Sequence, residues 1–553
     1  MPNSFFVSFD SSMRHTAYLY YCIHIYTFCT TCKRIVEKIR RRDDIIWMRA
    51  LSSTGQSEWL RTTRLRFQLL QGALMKKKIL SLTKSHEFVL AILICIYIIY
   101  FTVASFLRYD NFYTGRFDLG NMDQTVWNTI NGRIFQASTD NGSIISRLSV
   151  HADFMLILLS PFYLLWSHPK TLLLIQTVVL SFGSIFIFLI AKEVLKNKNL
   201  ALIFGFLFLV NPLLQFTNLY DFHAVTLATT LLLASFYFLI KQKYFLLIIF
   251  LMLAGITKEQ VWLIASLFGF PLLFKRKIKL KLLGIGIIVL SLAIFGYLIL
   301  HVIPQALGRE HFALSYYSDF GDSPMKVVTN VLFSPQKLLS TIAQANRLDY
   351  LKQIFMPLGF ISLISPILLI FSVPDLLINL LSNNSQLHQI HYQYTSTITP
   401  FMFISGIFGV KQFIKWLPKI PRLYIAIYLL IFTFLSVYFF GPLPGSKNPN
   451  FDMFTKPQPN KEIIENFLLT IPEHYTVAAT NNLGSHLSHR KIVYTIPAGI
   501  DKADVVAFLL NDRFAQPSLV AQRKMVDNMK SDKNYVEVLR YDDFVVFKRR
   551  NLL

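Results

Sequence analysis

Charge is scarce in this sequence. Only 16% of its 553 residues are Asp, Glu, Lys or Arg, and the 31 acidic residues face 55 basic ones. A soluble protein draws about a quarter of its residues from those four types, so this chain has little water-facing surface to cover. Cysteine is rarer still. The four residues are Cys22, Cys29, Cys32 and Cys95, and none falls in the C-terminal third. A disulfide framework is therefore excluded there. Cys29-Thr-Thr-Cys32 has the spacing of half a zinc site, but no second pair completes it. HExxH, Walker A, GxSxG and dinucleotide fingerprints are all missing, which leaves a metalloprotease, an ATPase or a lipase without support.

What the chain has instead is long apolar runs. Hydrophobic residues make up 53% of it, with 50 Phe and 25 Tyr. Crossing the hydrocarbon core takes about 20 apolar residues in a helix. Phe88–Leu107, Thr171–Ala191, Leu280–Leu300 and Tyr424–Phe440 meet or approach that length. A soluble core would need several helices apolar on every face. The fold expected is mainly α: a polytopic transmembrane helical bundle of about nine to twelve spans, followed by a small soluble α/β domain.

The net charge of +24 is topological. Much of it sits in Met1–Glu87 and in the short loops Lys192–Lys198, Lys241–Lys243 and Lys275–Lys281. Basic loops stay in the cytoplasm, so nucleic-acid binding is not needed to explain the basicity. Residues 1–74 read as a basic extension, because Met75-Lys-Lys-Lys-Ile has the form of a bacterial membrane-protein start. Tyr18–Cys32 is apolar enough for a weak extra span. The transmembrane part is expected over 75–440, with the N-terminus cytoplasmic.

Charge also sets the alternation of the spans. Arg108–His151 should lie outside. Ala152–Trp166 is short and contains Pro161, so it is expected along the outer face. Full crossing there would push Lys192–Lys198 outside. Ile354–Leu381, with Pro357, Pro366 and Pro374, is expected as one long kinked helix or a re-entrant hairpin. Gly441–Pro459 reads as a linker. Residues 460–553 read as the α/β domain, which the same alternation places outside the cell membrane. It has a helix at Lys461–Leu469, short strands, and a hairpin turning at Arg540–Asp543.

Specific polar residues gather in the loops on the outer side. The first loop contains Gly115-Arg116-Phe117-Asp118-Leu119-Gly120-Asn121-Met122-Asp123-Gln124 and ends at His151-Ala152-Asp153. Asp221-Phe222-His223 and Lys258-Glu259 occupy the next two, and His388, His391, Tyr392 and Tyr394 follow. Each has a plainer alternative. Asp118 and Asp123 could cap a helix. Asp221 and His223 could form a polar turn, and Lys258–Glu259 a neutralised pair. Together on one face they suit a polar cavity for a charged ligand. A carboxylate there could act as general base or hold a divalent cation, Mg or Mn, against a phosphate. Asp118, Asp221 and His223 are the candidate ligands. Arg116 and Lys258 could neutralise phosphate oxygens. His151 and His223 could carry protons.

These motifs, in this order, resemble a family of bacterial and archaeal membrane proteins: the domain-of-unknown-function family numbered two thousand and seventy-nine. Phe117 to Thr129, His151, Asp221–His223 and Lys258–Glu259 carry the resemblance, together with Asn481-Asn482-Leu483-Gly484-Ser485-His486-Leu487-Ser488-His489-Arg490 and Ile492–Tyr494. The family is similar in layout to the GT-C class of membrane glycosyltransferases. That layout implies a sugar taken from a polyprenyl-phosphate donor on the outer face and passed to an envelope lipid, glycan or protein. Asp118 then maps to the class aspartate, with Asp123 its competitor. Arg116, His151, Asp221, His223, Lys258, Glu259, His391 and Tyr394 are expected to line the substrate or phosphate site, in contact with membrane lipids. A transporter or flippase of a lipid-linked precursor, and a non-catalytic envelope assembly protein, are the competing expectations.

Overall fold

The computed structural model describes residues 85–308, 312–512 and 515–553. The expected extension 1–74, with its weak span at Tyr18–Cys32, lies outside the described residues. Five helices among them are long and apolar enough to cross a bilayer: α1 (His86–Asp110), α2 (Lys170–Leu195), α3 (Lys198–Leu219), α4 (Ile278–Leu307) and α5 (Arg422–Phe440). Local chemistry fixes their ends. Ser85 caps α1 by accepting the Phe88 N–H, and the Asn197 side chain accepts from Leu200 at the start of α3. A cap of this kind satisfies donors that have no partner within the helix. Helix α3 breaks at Asn211, whose side chain caps the second half, with Pro212 at its first position.

Five shorter apolar helices complete the membrane part: Met155–Leu164, Ala224–Ile240, Tyr244–Gly255, Val261–Leu273 and Pro366–Leu381. Met155–Leu164 is α-helical for five residues and then tightens into a 3-10 turn carrying Pro161. At about 1.5 Å per residue it is too short to cross. The region 354–381 is neither one kinked helix nor a simple hairpin. It runs as 3-10 turns at 356–358, 361–364 and 366–372 before the helix Val373–Leu381. Pro357 and Pro366 each open such a turn, and a proline inside a helix removes a hydrogen bond and clashes with the preceding turn. Thr399–Trp416 is almost wholly buried through Val410 and anchors the core with Phe204, Phe208 and Leu232.

One end of the bundle is tied by ion pairs. Lys192 meets Glu87 at 2.8 Å and Lys241 meets Glu193 at 3.2 Å. The start of α1 and the ends of α2 and Ala224–Ile240 therefore share one level.

After α1 the chain forms a π-turn, Arg116–Gly120, which runs into the helix Asn121–Ile130. A hairpin of β1 (Gln136–Ser138) and β2 (Ile144–Ser146) follows. The C-terminal part carries a five-stranded sheet in the order β4 (Val493–Thr495), β3 (Val477–Ala479), β5 (Val505–Leu509), β7 (Phe544–Arg549), β6 (Tyr535–Tyr541). Strands β4, β3 and β5 are parallel, while β7 runs antiparallel to β5 and β6. Side chains alternate between the faces of a strand. Val505, Ala507, Leu509, Phe544 and Val546 pack on Ile464 and Leu468, whereas Val506, Phe508, Val545 and Phe547 pack on Val526 and Met529.

The region 441–459 is held at several points. Met453 is buried, Asn111 donates to its carbonyl at 3.0 Å, and Phe454 stacks on Tyr100 of α1. The described residues form one compact unit.

Candidate active site

Asp118 stands in the π-turn with its side chain 30% exposed. One carboxylate oxygen accepts the Tyr220 hydroxyl at 2.9 Å, and the other meets His223 Nε2 at 3.1 Å. His223 Nδ1 faces the Asp221 carbonyl at 2.9 Å. Both imidazole nitrogens therefore face acceptors. A neutral ring has one donor nitrogen and one acceptor, so which of the two contacts His223 donates to depends on its tautomer. Burial pushes the Asp118 carboxyl up, but the His223 contact, the Tyr220 hydroxyl and the Arg147 charge outweigh it and hold it below the usual aspartate range.

Gln176 on α2 organises the loop behind this pair. Its carbonyl accepts from the His223 N–H at 3.1 Å and the Thr226 hydroxyl at 2.8 Å. Asp221 accepts the Gly115 N–H at 2.8 Å and has Arg108 at 3.8 Å. Burial and the neighbouring Asp118 charge raise its carboxyl to about 6, against the pull of Arg108 and the Gly115 N–H.

A second cluster adjoins the first. His151 Nδ1 lies 2.9 Å from Glu259 Oε1, and the Ala152 N–H donates to the other oxygen at 3.0 Å. His151, Lys258, Glu259 and Tyr394 line a cavity of about 260 Å³. Tyr394 also lies in the field of the Asp118 carboxylate, and Tyr220 packs edge-on against Tyr392. Burial and the Lys258 charge lower the His151 imidazole to about 4 against the Glu259 contact. Burial opposes the Glu259 charge, yet His151, Lys258 and the Ala152 N–H keep its carboxyl well below the ordinary range.

Both shifts have the same consequence for stability. The unfolded chain takes up a proton at His151 near pH 6.5, before the folded one does, so acid favours unfolding from there down to about pH 4. Glu259 adds to the loss below its own unfolded value of 4.5. Between pH 7 and 5, wild type should lose stability relative to His151→Gln by up to ~1.4 kcal/mol per pH unit. Thermal unfolding of both proteins across that range checks this, and parallel curves would contradict it.

Three expected site residues are placed elsewhere. Arg116 is 1% exposed, and its guanidinium donates to Asn121, to Gln124 at 2.8 Å and to the Ser138 carbonyl at 2.8 Å. The expectation that Arg116 neutralises a substrate phosphate is corrected by this enclosure. It braces the first loop instead. Asp123 is fully buried between Tyr163, Ser488 and His489. Burial opposes a charge on His489, but Asp123 outweighs it and raises the imidazole. His391 is exposed and packs edge-on against Phe216 at 4.5 Å, outside the cavity wall.

The candidate metal set is corrected as well. Among the described residues no group of three His, Cys, Asp or Glu side chains could hold a metal ion. Asp118 and His223 bond each other, and Asp221 is turned to the Gly115 N–H.

The Asn481–Arg490 motif docks the sheet domain onto the first loop. Asn481 accepts the Phe117 N–H at 3.2 Å, Ser485 meets Thr114 at 2.8 Å, and Gln124 donates to the Arg490 carbonyl at 2.8 Å. Gly484 sits where an added Cβ would come 2.2 Å from Arg116 Cβ. Gly484→Ala should cost about 1–3 kcal/mol by overpacking, seen as a lower thermal midpoint. An unchanged midpoint would show that the two surfaces are not pressed together.

Sequence reasoning missed Asp375, Asn379 and Gln393, which line the cavity. Asp375 is the one acidic residue within the apolar stretch 366–381. An ionisable group in such a stretch is the signal that marks function.

No curated protein matches the sequence. Among solved structures, the apo crystal structure of the Archaeoglobus fulgidus oligosaccharyltransferase is similar at 13% identity, with a TM-score of 0.36. The match covers 74% of this chain and 65% of that one, so the chain spans just under two thirds of that protein's length. Residues 108–546, from the end of α1 through the sheet domain, match the family described as Predicted membrane protein (DUF2079). The chain belongs to that family.

Proposed function

We propose that this multi-pass membrane protein is a glycosyltransferase that moves a sugar from a polyprenyl-phosphate donor to a hydroxyl-bearing envelope acceptor. One observation carries the reading: a partly exposed Asp118, held by His223 and Tyr220, whose charge reaches Tyr394 in the wall of a cavity that also supplies Lys258. In this reading the donor phosphate pairs with Lys258. The acceptor hydroxyl bonds to Asp118, which orients it and takes its proton. The acceptor oxygen then bonds to the anomeric carbon as the bond from that carbon to the phosphate oxygen breaks. Polyprenyl phosphate leaves with the electron pair. Positioning and charge at the reacting atoms do the work. The test is to incubate the purified protein with a panel of lipid-phosphate sugars and acceptors and to search for transferred sugar by mass spectrometry. Unchanged donors across the panel would remove the reading.

The reading also fixes an orientation. With the site on the outer face, Lys192–Lys198, Lys241–Lys243 and Lys275–Lys281 are cytoplasmic, because basic loops resist translocation. Single cysteines placed in these loops, in a cysteine-free background, should stay unlabelled by an impermeant external reagent. Cysteines in 460–553 should label. Labelling of any basic loop from outside would overturn the orientation.

A further inference from the structure

Two polar atoms in the cavity wall lack a hydrogen-bond partner among the described residues: Asp375 Oδ1 and Gln393 Oε1. Asp375 is 4% exposed and Gln393 7%. A buried acceptor without a donor is costly, more so when it is charged, and such a group calls for an explanation. Asp375 is not there by looseness. It lies in the first turn of Val373–Leu381, and its other oxygen accepts the Thr397 hydroxyl. One turn on, Asn379 is fixed by donating to Tyr350 Oη and to the Tyr394 carbonyl, both at 2.9 Å. The helix face that points into the cavity is therefore rigid.

The chemistry of the missing partner follows. Gln393 presents an oxygen, and turning its amide would present a donor at the same point. A hydroxyl satisfies either arrangement, because it both donates and accepts. Asp375 needs a donor. Tyr316, Tyr317 and Tyr394 add aromatic surface to the same wall, and Phe295 and Ile299 of α4 make an apolar side. The volume, about 260 Å³, falls just below the roughly 300–1,000 Å³ typical of pockets for drug-sized ligands. It suits one sugar ring rather than an oligosaccharide.

We infer that this cavity is the sugar subsite of the donor, where Asp375 and Gln393 accept hydrogen bonds from a monosaccharide and Asp375 selects neutral or amino sugars against uronic acids. The inference rests on the glycosyltransferase reading. A uronate would bring a second carboxylate beside Asp375 in a cavity whose wall already carries Glu259. Like charges confined this way repel strongly. An amino sugar would instead offer an ammonium to a carboxylate that lacks a donor.

The test measures equilibrium binding of four probes to the full chain in lipid nanodiscs: decaprenyl phosphate alone, and the same lipid carrying glucose, glucosamine or glucuronic acid. Wild type should bind the glucose and glucosamine lipids at least tenfold more tightly than the glucuronic acid lipid. Asp375→Asn keeps the shape and should reduce that preference to threefold or less, with each affinity read relative to that for bare decaprenyl phosphate so that a change shared by all the phosphate lipids cancels. Gln393→Glu adds a carboxylate and should widen the preference at least threefold, which decides the matter even if Asp375→Asn does not fold. If sugar lipids bind but wild type has no preference, or both variants keep the wild-type one, the subsite assignment is overturned while the glycosyltransferase reading stands. If no decaprenyl probe binds wild type, both fall together.

Discussion

Asp118→Asn should lower sugar transfer by about 10²–10⁴-fold per correctly folded molecule, the range typical of removing a general base. The substitution suits the geometry. Asn keeps the size of the side chain. Its oxygen can accept from His223 Nε2, and its amide can donate to the Tyr220 oxygen, so both present contacts survive in altered form. What is lost is the charge that receives or orients the acceptor proton. The loss should fall on kcat more than on KM, because the donor is held elsewhere in this reading. Tyr220→Phe removes one hydrogen bond to the carboxylate and should be milder. Asp123→Asn should differ in kind. Its carboxylate is fully buried and bonds Tyr163, Ser488 and His489, so the variant should lose thermal stability while its folded fraction keeps turnover. If Asp118 served only as a helix cap, Asn would cap as well as Asp, so the variant would keep both stability and turnover. Wild-type transfer by folded Asp118→Asn would therefore remove this residue from the mechanism.

The helical membrane architecture was legible because it depends on run length, which a sequence states directly. The long helices cover the apolar runs at Phe88–Leu107, Thr171–Ala191, Leu280–Leu300 and Tyr424–Phe440. Asp118, Asp221 and His223 could be grouped because loops of like parity share one end of a bundle, and the fold does bring them into contact. Their partners were not legible. Nothing local to Asp123 says that Ser488 and His489 will enclose it, since those residues lie some 365 positions away and reach it only once the sheet domain is docked. Arg116 misled for a related reason. A cation in an outer loop suggests an anion to bind, whereas its true partners are neutral oxygens of the same loop. Asp375 was hidden by composition. One carboxylate inside a proline-broken apolar stretch scarcely changes its hydropathy, and only the arrangement of 3-10 turns before it places it in the cavity wall.

Asp153→Ala should cost about 3–5 kcal/mol, a large share of the roughly 5–15 kcal/mol that holds a typical fold together. Arg147 and Asp153 form a two-pronged pair: Nε lies 3.1 Å from Oδ1 and Nη2 lies 2.9 Å from Oδ2, with side chains only 4% and 3% exposed. Deleting one partner leaves the other charge buried and unpaired, and the cost is the desolvation of that charge. The position of the pair makes the effect local as well as global. His151 lies between the two residues in sequence, so the clamp closes the turn that carries His151 to Glu259. The Arg147 N–H also fixes the end of the turn by donating to the Phe135 carbonyl at 2.8 Å. Asp153→Ala should therefore give little folded protein, seen as a lost or broadened peak in fluorescence-detected size exclusion. A control separates charge from packing. Arg147→Met with Asp153→Leu removes both charges and keeps apolar volume, and such replacements of a buried pair are often neutral or stabilising. The double variant should thus recover most of the folded yield that the single one loses. Equal loss in both would mean that shape or hydrogen bonding, rather than an orphaned charge, holds the turn. Wild-type yield from Asp153→Ala alone would show that the pair is not sealed from water.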